Sequence, residues 1–242
     1  MTNLTRRSHL RKTALLNTTA LITLDKATEN YFPHFKGLFD ETLTLDFIIR
    51  EEIVFEGRIR DALLKGYLTS YAVEDDDVIE AEGLLQRWTE LALADALIIT
   101  IGSKLKQKGE VFVITDDLIE REVAENNGLT TLWTSTLAIL FNYLGFTSLS
   151  KFIEDVEKRR VLWISKEILK ALKMFESREA LKILISLYKT PKSYGDLLSR
   201  HSNKLINTLT KLGIITIKEE KCSLNQRHDV IKIISNIAKY DV

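Results

Sequence analysis

Two polar segments follow apolar runs that are typical of buried strands, and they carry side chains suited to chemistry. Asp116 and Asp117 come directly after residues 110–114 (EVFVI), and Asn17 follows a shorter apolar run. In open α/β sheets, ligands bind outside the carboxyl ends of the strands. The sequence therefore predicts a polar site that includes Asn17, Asp116 and Asp117.

Apolar periodicity predicts the elements that hold these residues. Strands are predicted near the start of residues 13–24 and at 42–45, 110–114 and 130–133. Helices are predicted at residues 47–65, 78–91, 93–106, 118–126 and 135–144. The alternation of strands and helices predicts an α/β fold, a parallel sheet with flanking helices. Asp46 is the expected N-cap of the helix at 47–65.

The acidic run at residues 74–77 (EDDD) allows two interpretations, a helix cap or a metal cluster. Consecutive acids on a helix point in different directions, which disfavours shared coordination. Carboxylates at a helix amino terminus also interact favourably with the helix dipole. We therefore expect these residues to cap the helix that follows.

Four segments together resemble the PIN-domain family of metal-dependent ribonucleases over about residues 12–160. They are residues 14–21 (ALLNTTAL), 49–53 (IREEI), 94–98 (ADALI) and 113–117 (VITDD), the last followed by Arg121 and Ala124. Each motif is short, but their order, spacing and context agree. The resemblance implies three or four acidic residues that gather around Mg²⁺ or Mn²⁺ to hydrolyse a phosphodiester bond.

The resemblance makes Glu52, Asp95 and Asp117 the expected metal ligands, and these residues with Asp116 the expected catalytic set. Glu51 and Asp116 are neighbours that could replace them. Hard divalent ions prefer oxygen ligands, and a metal-bound water is a source of hydroxide. Thr115 is expected to orient a carboxylate by a hydrogen bond. Taken singly, each acid also has an ordinary alternative as a helix cap or a solvated side chain.

Asn17 departs from the family pattern, which places an aspartate there. An amide supplies a carbonyl oxygen but no charge, so metal binding should weaken. Asp25 is too far along the chain to substitute without a rearranged turn. Two alternatives remain: a degraded nuclease that still binds nucleic acid, or an enzyme that works with a weaker three-acid site.

The carboxyl-terminal part shows a different pattern. Helices are predicted at residues 161–174, 178–189, 194–200 and 202–212, and a hairpin at 214–217 and 221–224. Three helices followed by a hairpin resemble a winged helix-turn-helix domain over about residues 175–235. Residues 205–215 (LINTLTKLGII) are similar to that family's junction between recognition helix and wing. We therefore predict two domains, residues 1–174 and 175–242.

Helical spacing leaves one polar face on the predicted recognition helix. Its side chains suit contacts with phosphates and base edges, as does the nearby Lys192. The candidate nucleic-acid-binding residues are Asn203, Lys204, Asn207, Thr208, Lys211 and Lys192. Arg200, Lys218 and Lys221 add positive charge nearby, whereas Glu219 and Glu220 at the wing tip oppose phosphate contact. The alternative is a winged helix that binds protein.

Composition and charge agree with two functional parts. Residues 1–150 carry 15 Lys and Arg against 23 Asp and Glu, and the rest of the chain carries 19 against 11. Arg6, Arg7, Arg11 and Lys12 form a small basic arm against that trend. The one cysteine, Cys222, cannot form an internal disulfide. No apolar run approaches the length of a membrane span and no leader is evident, so a cytoplasmic protein is expected.

The sequence is therefore consistent with two functions. The first is a PIN-like endoribonuclease that uses Mg²⁺ or Mn²⁺, is weakened by Asn17, and carries a winged helix that binds RNA or DNA. The second is a non-catalytic DNA-binding regulator whose degenerate PIN-like domain pairs with itself or with a protein partner.

Overall fold

The computed structural model describes residues 10–53, 57–159, 162, 164, 166–225, 231, 234, 235 and 237. Arg6, Arg7 and part of the predicted helix at residues 161–174 lie outside these ranges. The described residues up to Thr134, apart from Ala27–Glu29, form one compact unit. Ala27–Glu29 and the described residues from Ser135 onward form the other. The predicted boundary at residues 174 and 175 falls inside this second unit.

A five-stranded parallel sheet forms the centre of the first unit. Its strands are β1 (Lys12–Leu16), β2 (Glu41–Leu45), β3 (Thr69–Tyr71), β4 (Glu110–Ile114) and β5 (Thr130–Leu132). Their spatial order is β3-β2-β1-β4-β5, with every neighbouring pair parallel. The chain builds outward from β1 to one side and then crosses to β4 on the other. The predicted α/β fold with a parallel sheet is confirmed.

Helices flank this sheet, and all but the first residue of β1, β2 and β4 are buried, as expected for strands covered on both faces. Leu15 and Val113, which pair in register on β1 and β4, have no exposed surface. The helices of the first unit are α1 (Thr18–Lys26), a 3-10 turn (Phe32–Gly37), α2 (Asp46–Glu51), α3 (Arg58–Leu64), α4 (Asp75–Leu85), α5 (Leu93–Lys106) and α6 (Leu118–Asn126). The bounds of α5, β4 and α6 are those that the sequence predicts.

The prediction of a single helix at residues 47–65 is wrong, because α2 ends at Glu51 and α3 begins at Arg58. Gly57, which precedes α3, has a φ of +89°, a left-handed conformation that interrupts a helix. The carboxylate of Asp25 on α1 accepts hydrogen bonds from the backbone N–H groups of Arg58 (2.7 Å) and Ile59 (3.1 Å). A cap supplied from a distant element thus starts a separate helix.

Two predictions about helix caps have opposite outcomes. Asp46 is not an N-cap, because it is the first residue of α2 and accepts a hydrogen bond from the backbone N–H of Val73 (3.0 Å). The predicted capping role of the run at 74–77 is confirmed. Glu74 is the N-cap of α4 and forms a capping box with Asp77. Asp77 also accepts a hydrogen bond from the ammonium of Lys104 at 2.8 Å.

Helices dominate the second unit, and its only sheet in the described part of the chain is a small antiparallel one. The helices are α7 (Thr134–Leu144), which starts at the unit boundary, α8 (Leu149–Glu154), a π-helical turn (Asp155–Arg159), α9 (Lys166–Phe175), α10 (Arg178–Lys189), α11 (Tyr194–Arg200) and α12 (Asn203–Lys211). The strands are β6 (Lys192–Ser193), β7 (Ile215–Lys218) and β8 (Lys221–Leu224), in the order β6-β8-β7.

Strands β3 and β6 were not predicted from the sequence. Both are very short, and β3 is polar and largely exposed, so neither carries an apolar run. The hairpin of β7 and β8 matches its prediction closely. Glu219 and Glu220 form its turn with φ of 48° and 62°. Two successive positive φ values match the twist of a two-residue hairpin turn.

Candidate functional site

The candidate site lies at the carboxyl edge of the parallel sheet, between β1 and β4. Asn17 directly follows β1, and its backbone N–H donates to the carbonyl of Ile114 at the end of β4 (3.0 Å). The direction of sheet growth reverses between these two strands. Such a reversal leaves a crevice, because the connections after the two strands turn to opposite sides. The predicted polar residues therefore lie at this reversal point, and we call the space among their side chains the crevice.

The side chain of Asn17 is the centre of this crevice. Its Nδ2 donates one hydrogen bond to Oδ1 of Asp95 (2.9 Å) and another to Oε2 of Glu120. Its Oδ1 accepts a hydrogen bond from the backbone N–H of Thr18 (2.5 Å). Asn17 is 1 % exposed. A buried amide whose oxygen is held by the main chain therefore joins two carboxyl groups from different helices.

Asp95 reaches the crevice from the first turn of α5. Its Oδ2 accepts a hydrogen bond from the backbone N–H of Ala92 (3.1 Å), which fixes the carboxylate at the start of the helix. Burial raises the pKa of Asp95 above its ordinary value. The negative charges of Asp117 and Glu52 raise it further, although the hydrogen bonds from Asn17 and Ala92 oppose the rise. The charges of Asp117 and Glu52 therefore act on Asp95, and the ligand role expected of these three residues stays a prediction.

Glu120, on the first turn of α6, is a site residue that the sequence analysis missed. It has no exposed surface, and its Oε1 has no hydrogen-bond partner among the described residues. Burial raises the pKa of Glu120 well above its ordinary value, and the charges of Asp95 and Asp117 add to the rise, whereas hydrogen bonds from Thr115 and Asn17 oppose it. Glu120 follows Asp117 by three residues, a spacing that normally indicates a capping box. Its side chain turns to Asn17 instead of to the helix cap.

Glu52 and Asp117 lie at the rim of the crevice. Glu52, the C-cap of α2, is exposed, and its Oε2 accepts a hydrogen bond from the hydroxyl of Thr18. Asp117 is the N-cap of α6, and its Oδ1 accepts hydrogen bonds from the backbone N–H groups of Ile119 (2.8 Å) and Glu120 (2.9 Å). Glu51, the alternative to Glu52, is also exposed. The ordinary role of Asp117 as a helix cap and its place beside the crevice thus coexist.

Asp116 has a different role from its neighbour. Its carboxylate accepts hydrogen bonds from the backbone N–H (3.0 Å) and the hydroxyl of Thr134. Burial raises the pKa of Asp116, and the hydrogen bonds from Thr134 oppose that rise. Asp116 therefore anchors the first residue of α7. Thr115, expected to orient a carboxylate, accepts a hydrogen bond from the backbone N–H of Asp117 (3.1 Å), which positions that residue through its main chain.

The donor chemistry of the crevice suits a hard divalent cation, but the arrangement does not. Nδ2 of Asn17 lies between Asp95 and Glu120, and N–H groups repel cations. Three carboxylate oxygens already accept backbone or side-chain hydrogen bonds: Oδ1 and Oδ2 of Asp95 and Oδ1 of Asp117. Within the described ranges, no group of three or more His, Cys, Asp and Glu side chains is placed to hold a metal ion. The residues do not form a ready metal centre.

The second unit presents a separate polar surface on α12. Ile206 and Leu209 are fully buried, so the helix is anchored along one side. The opposite side exposes Asn203, Lys204, Asn207 and Lys211, with Thr208 partly exposed. We call these five residues the α12 face. In the part of the chain that the structure describes, neither lysine of this face forms an ion pair with a carboxylate.

Lys192, the remaining candidate, is partly exposed on β6, where it pairs in register with Cys222 of β8. Lys218 and Lys221 are exposed on either side of the hairpin turn, and so are Glu219 and Glu220 within it. Cys222 is buried. His201 is the C-cap of α11, and its Nδ1 lies 3.4 Å from the carboxylate of Glu179.

Comparisons with protein-family models, with curated proteins and with solved structures gave no match. Among the described residues, no helix is long and apolar enough to cross a membrane. The fold class defined by the geometry is an α/β domain with a polar crevice at the reversal point of a parallel sheet.

Proposed function

We propose that this protein binds nucleic acid through the α12 face. The observation that carries the proposal is an exposed helical surface with two asparagines and with two lysines that pair with no carboxylate among the described residues, anchored from behind by the buried Ile206 and Leu209. Lysines supply the phosphate contacts that dominate affinity, and asparagine can form paired hydrogen bonds with adenine. A rigid helix is the element that fits the major groove.

The topology of the second unit supports this use of α12. Helices α10, α11 and α12 are followed by the hairpin of β7 and β8. Strand β6 lies between α10 and α11 in the sequence and pairs with β8. This is the order of elements in a winged helix, in which the third helix is the recognition helix. Lys218 and Lys221 extend the positive surface, but Glu219 and Glu220 repel phosphate at the tip. We therefore place the main contact on α12 and on Lys192.

For the first unit we propose a PIN-like domain that contributes no metal-dependent cleavage. The parallel sheet and the action of the Asp117 and Glu52 charges on Asp95 support the PIN-like assignment. The Asn17 amide between Asp95 and Glu120 supports the absence of catalysis, because it occupies the space that a cation would need. Such a domain is free to associate with itself or with a protein partner.

The second candidate function is a metal-dependent endoribonuclease of reduced activity. One specific observation favours it: among the described residues, no lysine or arginine pairs with Glu52, Asp95, Asp117 or Glu120. A group of carboxylates without a cation is the chemistry that Mg²⁺ or Mn²⁺ neutralises. Bound there, either ion would offset charge on a phosphodiester. This candidate requires the Asn17 side chain to leave its position.

One experiment addresses both candidates. Fluorescence anisotropy measures binding of the full chain to labelled single-stranded RNA and duplex DNA at several salt concentrations, and gels follow cleavage with and without Mn²⁺. We expect salt-dependent binding and intact substrate. Binding should weaken in Lys204→Ala/Lys211→Ala and persist in the control Lys170→Ala/Lys182→Ala, which removes two exposed lysines from α9 and α10.

Two other results would change the assignment. Mn²⁺-dependent cleavage that disappears in both Asp95→Asn and Asp117→Asn would establish the nuclease instead. No binding of either nucleic acid at low salt would reject the proposal and leave the α12 face as a protein-binding surface.

A further inference from the structure

The hydrogen bonds of Asn17 explain how acidic side chains can pack together without a cation. Nδ2 carries two hydrogens, and each is directed to a different carboxyl group, one on α5 and one on α6. Charged and polar groups in a buried site must be paired, or they are strongly destabilising. We propose that the Asn17 amide takes the place of a divalent cation in the crevice, so that the protein folds without metal and excludes Mg²⁺ and Mn²⁺ from this position.

The orientation of the amide is fixed by its surroundings. Oδ1 accepts a hydrogen bond from the backbone N–H of Thr18. A flipped side chain would direct Oδ1 at Asp95 and Glu120, which offer acceptors, and Nδ2 at an N–H donor. The contact of Nδ2 with the N–H group would be repulsive, and so would the contact of Oδ1 with an ionised carboxylate. The observed orientation is therefore the one that satisfies all three neighbours.

The space and the free oxygens left for a cation are insufficient. Mg²⁺ requires oxygen ligands at about 2.0–2.1 Å in octahedral geometry. Nδ2 lies 2.9 Å from Oδ1 of Asp95 and is in direct contact with Glu120, so it fills the gap between the two carboxyl groups. Oδ2 of Asp95 and Oδ1 of Asp117 are held by backbone N–H groups. A cation could enter only if Asn17 moved away.

Replacing Asn17 by aspartate reverses this arrangement. The new oxygen would face Asp95 and Glu120 where an N–H₂ group now donates to them. Three carboxyl groups in contact repel one another unless a proton or a cation is shared among them. Asn17→Asp should therefore fold poorly without metal, and divalent ions should restore it, because a ligand that binds only the folded state stabilises it.

The test compares the full-length wild-type protein with Asn17→Asp and with Asn30→Asp. The control also replaces an asparagine whose side-chain oxygen accepts a local backbone hydrogen bond, but outside the crevice. Thermal unfolding is followed in EDTA, in Mg²⁺ and in Mn²⁺, and Mn²⁺ binding is titrated by calorimetry. The wild type and Asn30→Asp should unfold at the same temperature in all three conditions and release no binding heat.

Asn17→Asp should unfold at a lower temperature in EDTA, gain several degrees in Mn²⁺, and bind about one ion per chain. Stoichiometric Mn²⁺ binding by the wild type would overturn the proposal, as would an Asn17→Asp protein that is indifferent to metal. If Asn17→Asp does not fold, the wild-type titration alone decides. The outcome is independent of nucleic-acid binding by the α12 face, so failure of either proposal can be recognised separately.

Discussion

Neutralising the two lysines of the α12 face should lower the salt dependence of nucleic-acid binding by a defined amount. Lys204 and Lys211 are seven residues apart on α12, so they are about 10 Å apart along the helix axis. Both are exposed and free of ion pairs among the described residues. Each can therefore contact its own phosphate and displace its own counterions.

A phosphate contact contributes about 0.9 to the slope of log affinity against log salt for duplex DNA, and about 0.7 for single strands. Lys204→Ala/Lys211→Ala should then reduce the slope by about 1.8 for a duplex. Between roughly 50 and 200 mM salt, the variant should therefore lose about tenfold less affinity than the wild-type protein loses. Anisotropy titrations at four or more salt concentrations measure the slope directly.

The control Lys170→Ala/Lys182→Ala removes the same charge from α9 and α10 and should leave the slope within error of the wild-type value. The reasoning is refuted if the slope of Lys204→Ala/Lys211→Ala is unchanged. It is equally refuted if both double variants reduce the slope alike, since binding would then follow net charge rather than the α12 face.

Three further predictions concern stability, each measured by denaturant unfolding. Burial opposes ionisation of Asp77, but hydrogen bonds from Lys104 and a backbone N–H outweigh this effect and lower its pKa. Asp77→Asn should therefore lower the free energy of unfolding by about 1–3 kcal/mol at pH 7. This loss should shrink as the pH falls below about 4, because the wild-type carboxylate is then protonated. A cost that does not change with pH would contradict this. Asp117→Ala should cost about 1 kcal/mol, because two N–H groups of α6 lose their cap; no loss would mean that water replaces it. Gly109→Ala should lower the free energy of unfolding by about 1–3 kcal/mol, because the new Cβ would lie 2.3 Å from a backbone oxygen. Gly83→Ala, which has open space inside α4, should raise it by about 0.5–1 kcal/mol. Equal effects of the two substitutions would refute the steric argument.

The elements nearest the candidate site could be predicted because their local signals agree. The run at β4 is β-branched and aromatic between Gly109 and two aspartates, and α5 has an uninterrupted apolar face. The prediction of one continuous helix after Asp46 was wrong for a physical reason. The cap of α3 is Asp25, which lies more than thirty positions earlier in the chain, and no local pattern reveals such a contact.

In the candidate site, too, residues marked by local sequence signals were predicted, and a residue defined by a distant contact was missed. Asn17 and Asp117 were found because each lies at the end of a predicted strand, and Asp95 was found because residues 94–98 resemble a motif of the PIN-domain family. Glu120 was missed because its position after Asp117 has an ordinary explanation as part of a helix cap. Its actual partner, Asn17, is 103 residues away, and the contact exists only once β1 and β4 are paired.

The central claim is that the Asn17 amide is hydrogen-bonded to two carboxyl groups. Nuclear magnetic resonance of this amide group tests that claim most directly. In wild-type protein labelled with ¹⁵N at asparagine, both Nδ2 hydrogens should exchange slowly with water, since each is buried in a hydrogen bond to a carboxyl group. Addition of paramagnetic Mn²⁺ should leave the pair of signals sharp. Rapid exchange of either hydrogen, or loss of both signals at stoichiometric Mn²⁺, would show that the crevice is open to a cation and contradict the account.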